Sequence, residues 1–379
     1  MALSPNLRHV PAVFLFGTLR DLALLEIVLG AVPDASAAVL PGARVARAAG
    51  QSYPVLVAAE GRSAQGLVLR GLSGDQLARL DYYEAPYAYT RVPTQLDVGP
   101  ADVYRPAPAQ EEQGGEDWSL DAWQAAYGPL MREAAVEIME GYGCVEPALI
   151  AARMPVIRSR AQQRVNARAR VTPTRLRRPH DRSDVAVSGH RRPYSHFFAV
   201  EEMDVAARRF DGSMPAPSER AVFMMSDAVT VLPYDPVRDR VLLIEQFRAG
   251  PYLRGDTNPW ALEAIAGRQD PGESAEQTAR REALEETGLT LGPLELVARY
   301  YASSGCCSEY MTSFVALADL PDGIEGVGGV EGEAEDIRSM VVSFEALQDA
   351  LASGEAENGP LVMSALWLAA HRDRLRGAG

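Results

Sequence analysis

Between Gly267 and Leu289 the chain reads GRQDPGESAEQTARREALEETGL. After the glycine come five residues and Glu273, seven more and the pair Arg281 and Glu282, two more and the pair Glu285 and Glu286, then one residue before Gly288 and the apolar Leu289. Ser274 is an N-cap residue directly after a Pro271 and Gly272 turn, Ala275 to Thr287 consists mostly of strong helix formers, and Gly288 is placed to stop the helix. The spacing predicts a loop followed by a helix of about three to four turns. On a helix advancing about 100° per residue, Glu282, Glu285 and Glu286 share one sector. Three carboxylates that close repel unless something neutralises them, and Arg281 alone supplies too little positive charge. Hard divalent cations answer the need: carboxylate oxygens suit Mg2+ or Mn2+, and Mg2+ is held by a few carboxylates plus waters and substrate phosphates. A solvated acidic face would explain the helix, but not where Gly267 and Arg281 stand.

Position for position, the stretch resembles the signature box of the Nudix hydrolases, which cleave nucleoside diphosphates linked to another group. The resemblance implies that Glu282 and Glu286 are the main metal ligands, helped by the backbone carbonyl of Ala266. It makes Glu273 and Glu285 supporting acids and has Arg281 orient the carboxylates. From about Arg208 to His371 the chain is further similar to one subgroup, the bacterial ADP-ribose pyrophosphatases. The motifs are EQFR at Glu245 to Arg248, NPWALEAIAG at Asn258 to Gly267, SSGCCSE at Ser303 to Glu309, and EAEDIR at Glu333 to Arg338.

That likeness implies contacts from Arg220 and Arg248 to the phosphates or the adenine side, since a guanidinium suits bidentate phosphate contacts. It implies a role for Glu309 in binding sugar or base. Glu333 becomes the general base or water-orienting acid, with Glu331 and Glu335 as alternatives in the same loop. The subgroup usually has Pro where Ser304 stands, so sugar preference is left open. Nudix proteins associated with tellurite resistance are similar to the same subgroup. Members of the subgroup are homodimers, which implies a homodimer here, with a nucleoside diphosphate sugar as substrate and ADP-ribose cleaved to AMP and ribose 5-phosphate. A regulator that binds the nucleotide without cleaving it is the rival reading.

The elements that must carry this chemistry begin near Tyr194. Strand patterns run at Phe197 to Ala206, Ala221 to Met225, Ala228 to Leu232 and Val241 to Glu245. The first hundred residues form a different unit, with a strand-like run into FLFGTLR, a helical stretch from Asp21 to Leu29, alternating apolar runs, and LDYYEAPYAYTR at Leu80 to Arg91. Phe16-Gly17-Thr18-Leu19 and Leu80-Asp81-Tyr82-Tyr83-Glu84 resemble two motifs of the γ-glutamylcyclotransferase-like fold. That resemblance makes Glu84 the acid and base, with Gly17, Thr18 and Leu19 in the substrate loop. Moving a proton from an attacking to a leaving nitrogen is work for a semi-buried Glu, and the tyrosines around Glu84 favour a raised pKa. Phe16 and Ala85 depart from the pattern, so a non-catalytic accessory domain with a surface Glu is the other reading.

Between the two lies a connector. Its Pro, Gln, Glu and Gly stretch runs from Ala107 to Gly115, a helix is expected from Leu120 to Gly141, and twelve arginines fall between residues 153 and 192. These arginines suit either a nucleic-acid arm or a solvated, mostly helical connector lying over acidic surface; a net charge of −14 favours the second. All the basic residues counted as Lys or Arg are Arg. No run approaches the ~18 apolar residues of a membrane span, no signal peptide is evident, and Cys144, Cys306 and Cys307 form no disulfide or zinc pattern, so the expected location is cytoplasmic. The reading is thus α/β throughout. A small β-rich α+β γ-glutamylcyclotransferase-like domain spans 1–106, a helical Arg-rich connector 107–193, and a Nudix α/β/α sandwich with a mixed sheet 194–379.

Overall fold

The computed structural model describes residues 12–31, 34–106, 114–329 and 336–377. The chain forms two compact units, Met1–Thr172 and Pro173–Gly379. The boundary falls inside the stretch read as connector.

In the first unit, six strands form a mixed sheet. They are β1 (Val13–Leu15), β2 (Ala35–Ala48), β3 (Pro54–Leu69), β4 (Thr90–Leu96), β5 (Gly99–Arg105) and β6 (Gly114–Asp117), in the order β4-β5-β1-β3-β2-β6. β1 runs parallel to β5 and antiparallel to β3, which places the loop after β1 at the middle of the sheet. Around it lie α1 (Leu22–Leu29), α2 (Gly74–Glu84), α3 (Leu120–Ala126), α4 (Gly128–Glu140) and α5 (Pro147–Ala169). The single helix expected from Leu120 to Gly141 is two, because Tyr127 leaves helical geometry at φ −127° and Pro129 can begin a helix but not continue one. The arginines of α5 face acids of α4: Arg160 pairs with Glu137 at 2.5 Å with both side chains buried, and Arg168 pairs with Glu133.

The second unit has a three-stranded antiparallel sheet of β7 (Val185–Ser195), β8 (Ala199–Ala207) and β9 (Ser218–Met224). Its larger sheet holds β10 (Ala228–Asp235), β11 (Arg240–Phe247), β12 (Trp260–Glu263), β13 (Ile265–Arg268), β14 (Leu294–Tyr301), β15 (Tyr310–Leu317), β16 (Val327–Gly328) and β17 (Ile337–Ser343). The main order is β14-β15-β10-β11-β17-β16, with β12 on β11 and β13 on β10. β10 and β15 are parallel while β10 and β11 are antiparallel, so the sheet is mixed. The helices are α6 (Ala249–Arg254), α7 (Ala275–Thr287), α8 (Phe344–Ser353) and α9 (Gly359–Gly377).

Alternation along the strands builds two cores. Val229, Val231, Leu242 and Ile244 meet Ala279 and Ala283 of α7 on one face. Leu232, Tyr234, Val241 and Leu243 meet Leu347 of α8 and Leu361, Ala365 and Leu368 of α9 on the other. Period-two strands with helices on both faces give the α/β/α sandwich, each fully buried aliphatic side chain contributing about 1.5–3 kcal/mol. No helix among the described residues is long and apolar enough to cross a membrane.

Candidate active site

α7 is fixed at both ends by its own sequence. The Ser274 hydroxyl accepts from the Gln277 amide at 3.2 Å, the Gln277 side chain accepts from the Ser274 amide at 2.8 Å, and Gly288 closes the helix at φ 68°. β13 lies alongside through its pairing with β10, with Ala266 opposite Thr230 and Gly267 opposite Val229. The helix and the strand come so close that a Cβ on Gly267 would fall within the Glu282 carboxylate.

Arg281 organises the acidic face. Its Nε donates to Glu273 Oε1 at 2.9 Å and its Nη2 to Glu273 Oε2 at 3.0 Å, while Nη1 reaches Glu282 Oε1 at 2.8 Å and Glu285 Oε2 at 2.9 Å. Nη2 also donates to the Arg268 carbonyl at 3.1 Å, tying the helix to the end of β13. The Arg281 guanidinium, with the Thr278 hydroxyl at 2.8 Å, holds the Glu273 carboxyl below its usual range, and the Glu273 carboxylate in turn pushes Arg281 upward. Glu286, one turn along from Glu282, is only 3% exposed. A Cβ on Gly328 would strike the Glu286 carbonyl, so β16 packs directly on the end of this helix.

Among the described residues no set of three or more His, Cys, Asp and Glu side chains closes round a common point. The oxygens of Glu273, Glu282 and Glu285 are instead spread over one guanidinium. The donor set nevertheless fits a hard divalent cation. It is all oxygen, from Glu282, Glu286 and the Ala266 carbonyl, and Mg2+ needs only one or two carboxylates when waters and phosphates complete its shell. Gly267 leaves the Glu282 carboxylate the room it occupies.

The expected substrate residues are placed unevenly. Arg248 grips Glu263 through Nε at 3.0 Å and Nη2 at 2.5 Å, and burial pushes the Glu309 carboxyl up against the opposing pull of the Arg248 charge. Arg220 stands exposed on β9, its Nη1 donating to the Glu219 carbonyl at 2.8 Å. The far end of β9 is joined to the loop of Glu309, since the Phe223 amide donates to the Cys306 carbonyl at 2.8 Å and the Ser308 amide to the Phe223 carbonyl at 2.9 Å. Glu333, Glu331 and Glu335 lie outside the described residues. Glu263 was given no role from sequence, although it is the acid of NPWALE. It is 4% exposed and also takes Gln246 at 3.3 Å and Asn358 at 3.0 Å. Its signal was an acid in an otherwise strand-forming run.

In the first unit, Phe16, Gly17, Thr18 and Leu19 line a cavity of about 50 Å³ together with Glu84. Gly17 is required there because a Cβ would lie 2.8 Å from Pro54 Cγ. Tyr53, Tyr83, Tyr87, Tyr89 and Tyr104 supply much of the remaining wall. Burial pushes Glu84 up to about 8 and Tyr87 up to about 12. A carboxyl that is mostly neutral at pH 7 can give or take a proton.

Comparison with known proteins agrees with this division. Residues 224–364 match the NUDIX domain, and residues 13–125 match the gamma-glutamyl cyclotransferase, AIG2-like family. ADP-ribose pyrophosphatase of Escherichia coli K12 is 37% identical over 195 residues, 52% of this chain and 92% of that protein. ADP-ribose pyrophosphatase of Haemophilus influenzae is 30% identical over 49% of this chain and 86% of its own length. GDP-mannose pyrophosphatase of Escherichia coli O9:H4 is 29% identical over 44% of this chain and 86% of that protein.

Proposed function

The chain belongs to the Nudix hydrolases and carries a γ-glutamylcyclotransferase-like domain before the Nudix domain, and we propose that it hydrolyses the diphosphate of ADP-ribose to AMP and ribose 5-phosphate, or that of a closely related nucleoside diphosphate sugar to the corresponding nucleoside monophosphate and sugar phosphate. The observation that carries the reading is the set of carboxylates arranged by Arg281 on α7, against the glycine of β13. The naming of relatives for both ADP-ribose and GDP-mannose supports the nucleoside diphosphate sugar class; the higher identity to the former supports ADP-ribose within it.

Glu282, Glu286 and the Ala266 carbonyl would hold Mg2+ or Mn2+. Bound there, the cation supplies neutralisation of the diphosphate charge and a lowered pKa for a water. Arg281 keeps Glu282 and Glu285 apart and oriented, and Glu273 holds Arg281 in turn. Arg248, its side chain part-exposed on Glu263, would orient the phosphates or the adenine side, and Arg220 would add a second cation. Glu333 would align or deprotonate the water, whose oxygen bonds to one phosphorus as the bond from that phosphorus to the bridging oxygen breaks. The active species is proposed to be a homodimer.

Release of the nucleoside monophosphate by the full-length protein is the test, AMP from ADP-ribose and GMP from GDP-mannose being compared at equal substrate concentration in Mg2+. Glu286→Gln should remove turnover while leaving the circular dichroism melt in place. AMP release at the original rate by that variant would sink the assignment, and so would a preference for GDP-mannose.

A second reading concerns the first unit, and its support is Glu84 in the cavity behind Gly17 and Thr18. There the domain would release 5-oxoproline from a γ-glutamyl amine, with Glu84 moving the proton between nitrogens. Loss of 5-oxoproline release in Glu84→Gln, with AMP release unchanged, is the expected result.

A further inference from the structure

The buried carboxylate of Glu263 is held from two sides. On one stands Arg248, whose Nε lies 3.0 Å from Oε1 and whose Nη2 lies 2.5 Å from Oε2. On the other stands Asn358, 95 residues further along the chain, whose Nδ2 donates to Oε1 at 3.0 Å. Asn358 has a second task at the start of α9, where its Oδ1 accepts from the Leu361 amide at 3.2 Å and its carbonyl from the Val362 amide at 2.9 Å. A side-chain amide suits both tasks, since it offers an acceptor to the helix and a donor to the carboxylate at once; aspartate supplies the first without the second. The helix behind it is firmly seated. Leu361, Ala365 and Leu368 are buried in the core, and further along Arg372 and Arg376 pair with Asp239.

We propose, on the reading that Arg248 faces the phosphates or the adenine side, that Asn358 is a positioning residue for substrate binding: it locks the Glu263 carboxylate in one orientation and so sets the direction of the Arg248 guanidinium. The terminal torsion of a glutamate is broad, so the plane of its carboxylate is fixed by its donors. A guanidinium that pairs through two parallel bonds follows that plane. The other side-chain donor among the described residues, Gln246 at 3.3 Å from Oε2, comes from β11, the strand that leads into Arg248. Gln246 and Arg248 therefore move together, whereas Asn358 reaches Glu263 from the far side, on a helix anchored in the core. The side chain of Arg248 is 41% exposed and open to a ligand, and Asn358 acts on it through Glu263 alone.

Initial rates of AMP release from ADP-ribose in Mg2+ by the full-length chain test this, together with thermal melts. Asn358→Ser keeps a cap oxygen and withdraws the donor from Glu263; KM should rise about tenfold, the order of one hydrogen bond to a charged group, with kcat within about twofold. In an Arg248→Met background the same substitution should change KM by less than about twofold, because the group through which Asn358 acts is gone. A residue that merely supports the fold would move KM by one factor in both backgrounds. Asn358→Asp, alike in shape and still a cap, gives a second measurement should the serine variant fail to fold, and its KM should rise at least as far because it sets carboxylate against carboxylate. An unchanged KM in the Asn358 variants, or an equal change with and without Arg248, would overturn the proposal. The unsubstituted chain and Arg248→Met report separately on the site itself. No AMP release from the first sinks the activity proposed for the second unit, and an unchanged KM in the second takes Arg248 away from the substrate; either result overturns the role of Asn358 as well, whereas failure of the Asn358 variants alone leaves the activity standing.

Discussion

The carboxylate of Glu282 fills the place where residue 267 would carry a side chain. Glycine at the head of the box is thus a requirement of close approach between β13 and α7, and Glu282 has one seat, beside Arg281 Nη1 at 2.8 Å.

Gly267→Ala follows directly. The new methyl group meets the end of a flexible side chain, so Glu282 swings away and the fold survives. A misplacement on the scale of 1 Å at a group that positions charge can cost about 100-fold in rate. The expected outcome is AMP release down by about 100-fold or more, with stability changed by less than about 1 kcal/mol. Full activity in the alanine variant would mean that Glu282 need not sit there.

Much of this site was legible because its determinants are local. Ser274, Gln277 and Gly288 fix the ends of α7 within the helix's own sequence, and Arg281 lies one residue from Glu282 and four from Glu285. Glu263 was not legible. Its partners, Arg248, Gln246 and Asn358, come together only when β11, β12 and the start of α9 are assembled, and an acid in a strand-forming run does not by itself say which groups will hold it. The arginines of α5 were read as covering acidic surface, but the pairing of Arg160 with Glu137 depends on the packing of α4 against α5. The break at Tyr127 was hidden by apolar spacing that continues through both helices, although Pro129 marked it.

The Arg248 and Glu263 pair separates positioning from contact. Arg248→Met would leave Glu263 buried with Gln246 and Asn358 as its side-chain donors among the described residues. Breaking a buried pair costs about 3–5 kcal/mol; the side chain of Arg248 is 41% exposed, so about 1–2 kcal/mol is expected here. KM for ADP-ribose should rise as well, because the guanidinium proposed to hold the phosphates or the adenine side is gone. Thermal melts and initial rates measure the two effects separately. A lower melting temperature with KM unchanged would reduce Arg248 to a support for Glu263.

Glu84 sets a pH dependence for the first unit, and its sign follows from burial. The folded carboxyl is pushed up from 4.5 to about 8, so between those values the native state holds a proton that the unfolded chain releases. The stabilisation linked to that proton is complete below pH 4.5 and is lost as pH rises through 8, at no more than about 1.4 kcal/mol per pH unit. Tyr83, Tyr87 and Tyr104 surround the group and stay neutral across this window, each held upward by burial, so they add no opposing slope. Glu84→Gln should therefore flatten the loss of stability between pH 5 and 8, with the variant outlasting the original chain at pH 8. Hydrogen exchange of the α2 amides reads this unit without contribution from the other. Equal protection of the two chains at pH 5 and at pH 8 would show that Glu84 ionises as freely as an exposed carboxyl, and its part in proton transfer would have no physical basis.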